Sequence, residues 1–270
     1  MKLDSNLAWK DASRNVWRNR DALAAVAGVF FLLPQLALAL FYPQPEPTAG
    51  MNQQQIVALV QGYYLSTLPL LIPMLFLQAL GTISLLSLLS HAARPTVAQA
   101  LRLGLTGAFT YLGAQLLLGV AIGLIGGIVL GALTMVGGAA VAVAVLVVIV
   151  AAAVAIGVRA SLTAPVVAIE GERNPIRALI RSWQLSKGNV WRMIAFYALF
   201  LVAFLVVQMM VGVALGIPLA VLASPPVAQL ISAVVSSTLN AIMALYLVAI
   251  IGAVHSQLAG SDDRDRALFE

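Results

Sequence analysis

The feature that most constrains this chain is a set of apolar runs long enough to cross a bilayer. Residues 22–41, 105–130, 138–158, 193–215 and 227–253 contain no Asp, Glu, Lys or Arg. A sixth run lies within 56–90 and carries Pro69 and Pro73. A helix needs about 20 apolar residues to cross the hydrocarbon of a membrane. None of the runs alternates with period two, as a membrane β-strand would. Hydrocarbon cannot hydrogen-bond a bare backbone, so helices remain as the spanning structure. Six transmembrane helices are expected. Charged residues make up 9% of the chain, against about 25% in a soluble domain, which is too few to coat a water-facing surface. The run 22–41 contains Ala37-Leu38-Ala39, a pattern that signal peptidases accept. About twenty mostly polar residues precede it, and it is longer than an ordinary signal core, so it reads as a span.

The charges set the topology. All fifteen Lys and Arg fall in the N-terminal segment, in 91–104, in 159–192 and after residue 253. The intervening connections 42–55, 131–137 and 216–226 have Glu46 as their only charged side chain. The positive-inside rule then places both termini in the cytoplasm, and a bacterial inner membrane is the expected location. The net charge of +5 reports this basic rim rather than an affinity for nucleic acid.

The basic segments themselves read as short helices lying on the membrane surface. Over 174–188, Asn174 suits an N-cap, Pro175 the first turn and Gly188 the stop. Ile176, Leu179, Ile180 and Trp183 recur at helical spacing, with Arg177, Arg181 and Gln184 on the opposite side. In the first segment Lys10, Arg14 and Arg18 form one stripe, with Trp9, Ala12 and Val16 turned away from it. The stretch 97–104 repeats the pattern weakly, with Val97, Ala100, Leu101 and Gly104 apolar.

Residues 8–18 (AWKDASRNVWR) align without a gap on 182–192 (SWQLSKGNVWR), and the chain's four tryptophans, Trp9, Trp17, Trp183 and Trp191, all lie in these segments. An internal repeat is the expectation. The fold class is therefore an all-α membrane protein, a single polytopic domain of six transmembrane helices. It is arranged as three parallel units of interfacial amphipathic helix plus helical hairpin, about 1–90, 91–164 and 165–258. Each copy of Asn-Val-Trp-Arg would end a surface helix where the chain enters the bilayer, and 259–270 would form a polar cytoplasmic tail. Within the bilayer Gly119, Gly123, Gly127 and Gly131 recur every fourth residue, the spacing that lets another helix approach closely. A neighbouring span of the same chain is the expected occupant, a second copy the alternative. Pro69 and Pro73 are expected to kink the second span.

The residues for chemistry are sparse. Cysteine is absent, which excludes disulfides and thiolate nucleophiles. No carboxylate falls within an apolar run. His91 and His255 end the second and sixth spans without the partners of a metal or acid–base site, so interfacial histidines tolerated near headgroups are expected. No hydrolase, metalloprotease or nucleotide-binding motif is present. A non-enzymatic protein without cofactor or metal is expected. Ion-coupled transport places ionisable groups inside the membrane, whereas these spans offer neutral amides, with Gln78 and Asn240 the first candidates for a polar path.

The segment 165–192 holds seven of the chain's twenty-five charged side chains. Its expected role is a phospholipid-headgroup site in which Arg177 and Arg181 bind phosphate, Glu170 holds one of them, and Lys187 and Arg192 extend the rim. The plainer alternative is a cuff in which glutamates near a helix N-terminus, basic residues and tryptophans fix the depth of the helices. Pro165, Glu170-Gly171, Ala178, Arg181-Ser182-Trp183, Leu185, Lys187-Gly188 and Trp191 resemble a pattern of the membrane domain found beside glycerophosphoryl diester phosphodiesterases, and of related stand-alone bacterial integral membrane proteins. The motif covers about a tenth of the chain. The resemblance implies a multi-span inner-membrane protein, and it does not carry the phosphodiesterase activity, which belongs to a separate soluble domain. The expected function is binding or redistribution of phospholipid, or support of membrane lipid homeostasis. A small-molecule permease and a scaffold that recruits a protein partner or a second copy are the alternatives.

Overall fold

The chain is described here by a computed structural model covering residues 2–43, 45, 47–48, 50–90 and 95–267, with the side chains of 136–140, 220 and 261–267 outside it. His91, Glu46, Arg94 and 268–270 lie outside the described residues. The described elements are helical throughout. Helix α1 (Ser5–Arg18) is capped by Asp4, whose carboxylate accepts from the N–H of Asn6 and Leu7. After Asn19 the chain continues as α2 (Arg20–Ala27), a π-helical turn Gly28–Leu32, and α3 (Leu33–Phe41). Together Arg20–Phe41 form the first helical stretch long and apolar enough to span.

Helix α4 (Gln53–Leu89) runs through both Pro69 and Pro73. It starts in a reciprocal cap: Asn52 accepts from the Gln55 N–H, and the Gln55 side chain from the Asn52 N–H. Helix α5 (Val97–Ala160) starts in the same way at Thr96 and Gln99. It is helical from its first residue, so 97–104 is not the separate surface helix expected from the sequence.

The connection expected at 131–137 is also helical by its backbone. Yet the chain still reverses there. A β-carbon on Gly126 would lie 3.2 Å from Ile149 Cγ2, whereas a straight helix would separate those residues by about 35 Å. The reversal supplies the third and fourth of six helical stretches that could span, Val97–Met135 and Val141–Glu170. A short helix α6 (Thr163–Pro165) and a π-helical turn Val166–Glu170 lead to α7 (Pro175–Leu185). The last hairpin pairs α8 (Val190–Leu222) with α9 (Pro225–Ala267). The tail expected after 258 thus continues as helix to Ala267.

Two expectations change with these boundaries. The first Asn-Val-Trp-Arg closes α1, but the second, from Asn189, opens α8, because α7 has already ended at Leu185. Equal sequence therefore occupies unequal places. The glycine face also differs: a β-carbon on Gly119, Gly123, Gly127 or Gly131 would meet nothing within 4 Å. The close intrachain approach occurs elsewhere, where α4 and α5 run antiparallel. A β-carbon on Gly104 would overlap the Ser84 hydroxyl and lie 2.9 Å from the Leu80 carbonyl oxygen.

The buried core sits at the end of the bundle that holds the basic segments. Leu23, Ile83, Leu86, Leu162, Val166, Met193, Ile250 and Val254 are almost wholly enclosed there. Toward the other end Ile128, Met135, Met209 and Val221 are exposed, as apolar side chains must be when lipid rather than protein covers them.

The two classes of glycine separate in a stability measurement. Gly104→Ala forces a β-carbon against a backbone carbonyl and is expected to cost about 2 kcal/mol in detergent unfolding. Gly123→Ala should be neutral or gain up to about 1 kcal/mol from helix propensity. Equal losses at both positions would contradict this packing.

Candidate functional site

The basic end is knitted together from distant parts of the sequence. Asn189 Oδ1 accepts from the Leu3 N–H at 2.9 Å, and Arg192 Nη1 donates to the Leu3 carbonyl at 3.4 Å. Gln257 Nε2 donates to the Asp4 carbonyl while its Oε1 accepts the Asp4 N–H, both at 3.3 Å. The N-terminal segment, the start of α8 and the end of α9 are thereby fixed at one end of the bundle.

Glu170 stands at the centre of this junction, and local structure explains its placement. The π-helical turn Val166–Glu170 widens the last turn, and Gly171, at φ +76°, ends it in the left-handed region that glycine enters without steric cost. The carboxylate then bridges two helices. Oε2 accepts from Arg181 Nε on α7 at 3.0 Å, and Oε1 lies 2.9 Å from His255 Nε2 on α9. Their side chains are 28%, 20% and 4% exposed for Glu170, Arg181 and His255 respectively. His255 is thus a buried, bonded residue rather than the tolerated interfacial histidine expected from the sequence. Its Nδ1 is buried without a hydrogen-bond partner among the described residues.

Helix α7 is held from both sides. Asn174 Oδ1 accepts from the N–H of Ile176 and Arg177, and Glu172 Oε1 accepts from the Asn174 N–H at 2.8 Å. The helix buries Ala178, Ser182 and Leu185 and exposes Ile176, Ile180 and Trp183. The Ser182 hydroxyl donates to the Arg159 carbonyl, and the Arg159 guanidinium lies 4.4 Å over the Trp183 ring. The α7 face opens on a cleft of about 250 Å³ lined by Glu170, Glu172, Arg177, Arg181, Ile180 and Gln184.

The structure therefore brings Glu170, Arg177 and Arg181 together as the sequence predicts. Lys187 and Arg192 stand apart: Lys187 is exposed in the turn after α7, and Arg192 is exposed on α8. The tryptophans divide as well. Trp17 and Trp191 are well exposed, whereas Trp9 packs on Tyr246 and Phe200 with ring centroids 5.9 and 6.4 Å apart. Gln78 and Asn240 are half-buried on different helices and line none of the clefts described here. Sequence reasoning missed the Glu170–His255 contact, which joins residues 85 positions apart. The only signal was that one of two histidines ended a span on the same side as the glutamate.

Glu170→Gln keeps the shape but not the charge that holds Arg181 and His255. It is expected to cost about 2 kcal/mol in detergent unfolding, as for a mostly buried ion pair losing one partner. Glu172→Gln, whose carboxylate serves a single backbone N–H, should cost about 0.5 kcal/mol or less. The reverse order would contradict the bridging role.

Neither a curated protein nor a solved structure matches the chain. Residues 9–254 match the family described as a domain of unknown function (DUF7847), and the chain belongs to that family.

Proposed function

We propose that this protein is a non-enzymatic lipid-binding protein of the bacterial inner membrane, its basic end facing the cytoplasm and engaging anionic phospholipid headgroups. The observation that carries the reading is the orientation of α7. Ile176, Ile180 and Trp183 are exposed rather than packed on the protein. A helix that turns such a face outward at the end of a membrane bundle is covered by the headgroup–acyl boundary. Arg177 lies on the same helix, exposed and without an ion pair among the described residues.

The charges in the α7 cleft have separate tasks. Arg181 is committed to Glu170, and Glu172 closes the cap of α7. Arg177 is the cation left to meet a lipid phosphate, with Arg181 holding the helix that presents it. This refines the headgroup site expected from the sequence, where both arginines would contact phosphate. The likeness of 165–191 to membrane domains beside glycerophosphoryl diester phosphodiesterases points toward lipid as well, as an analogy.

Native mass spectrometry of gently extracted protein tests the reading. Wild type should retain a defined anionic phospholipid. Arg177→Gln should retain about fivefold less, from the loss of on the order of 1 kcal/mol of headgroup attraction, with unchanged thermal stability. An unselective lipid mixture held equally by both proteins would reduce α7 to an anchor and overturn the proposal.

A further inference from the structure

His255, whose ring meets Glu170 of the α7 cleft, also lines a second cleft. This cleft is formed by α1, the end of α4 and the end of α9, and encloses about 440 Å³, within the range of small-molecule sites. Arg14 and Arg18 line it from α1, one helical turn apart on the same face. Leu86, Leu89 and Ile169 supply apolar wall, and Ala249, Gly252 and Ala253 keep the α9 side narrow. Asp11 is the opposing charge, and its contact with Arg14, at 3.9 Å between a half-exposed carboxylate and a well-exposed guanidinium, is of the weak surface kind. The cleft is therefore basic at its polar edge and apolar along its wall.

His255 supplies the independent sign of a ligand. It lines this cleft, its residue is 3% exposed, and its Nε2 is taken by Glu170. Because an ionised carboxylate can only accept, Nε2 carries the hydrogen. Nδ1 is left buried and without a partner among the described residues. With the hydrogen on Nε2, Nδ1 presents a lone pair; a buried acceptor of this kind is costly when orphaned, and a ligand hydroxyl settling against the ring would supply the donor it lacks.

We infer that this cleft is a binding site for a hydroxyl-bearing phosphate ester, with Arg14 and Arg18 on the phosphate, a ligand hydroxyl donating to His255 Nδ1, and the apolar wall of α4 and α9 against the rest of the organic part. A bare inorganic anion would use the arginines and leave the wall unoccupied. A bilayer phospholipid and a soluble phosphate ester share the required chemistry. The inference stands apart from the α7 proposal, since the two clefts present different arginines.

The full chain is tested in phosphatidylcholine nanodiscs with two probes. sn-Glycerol 3-phosphate is titrated by calorimetry, and phosphatidylglycerol doped into the disc is followed by native mass spectrometry. The variant is Arg14→Gln/Arg18→Gln, both exposed positions whose loss spares the core, with Lys10→Gln and Arg177→Gln as controls. The double variant should lose about tenfold or more in affinity for at least one probe, and Lys10→Gln less than about twofold. Loss confined to phosphatidylglycerol assigns the site to a bilayer lipid. Loss of glycerol phosphate binding assigns it to the soluble ester chemistry. Unchanged binding of both probes in the double variant overturns the inference, and so does an equal loss in Lys10→Gln, which would reduce the effect to diffuse surface charge. A deficit in Arg177→Gln alone would support the α7 cleft and reject this one.

Discussion

Hydrocarbon can solvate neither a bare peptide group nor a cation, and the architecture follows from that prohibition. Every described spanning stretch closes its own backbone hydrogen bonds as helix. Every Lys and Arg is left to the alternate connections, and the described basic segments converge on one end of the bundle. The protein core gathers at that same end, because only there do surface helices and span ends pack against one another instead of against lipid. The opposite end needs no protein cover for its apolar residues.

Within the basic end, Glu170 is the link between elements that share no sequence neighbourhood. A wide helical turn and a left-handed glycine aim its carboxylate between α7 and α9. One oxygen holds Arg181 and the other holds His255. The α7 cleft, with Arg177, and the α1 cleft, with Arg14 and Arg18, are linked through one carboxylate–imidazole pair, Glu170 lining the first and His255 the second. The two clefts at one end of the bundle would suit the lipid binding proposed above.

Much of this was legible in the sequence where local rules apply. Run length marked the spans, the charge distribution marked the shared end, Asn174 and Pro175 marked the start of α7, and Gly188 marked the turn that follows it. Local identity misled where tertiary context decides. The two Asn-Val-Trp-Arg copies differ in role because Gly188, at φ +79°, ends a turn before the second copy, whereas Asn15 sits inside a continuing helix. The four-residue glycine spacing records what could approach closely, but the approach requires a partner helix, and α4 supplies one at Gly104 instead. The α1 cleft joins residues more than 230 positions apart, a proximity no local pattern encodes.

We propose that all basic segments share one side of the membrane, and that this side is the cytoplasm. The absence of cysteine makes single-cysteine labelling a clean test. Lys187→Cys and Lys10→Cys should resist a membrane-impermeant thiol reagent in intact spheroplasts and react once the membrane is opened. Thr48→Cys and Ser224→Cys should react in intact spheroplasts. Labelling of positions 10 and 187 from opposite sides, or of 48 and 187 from the same side, would contradict the arrangement on which both proposed sites rest.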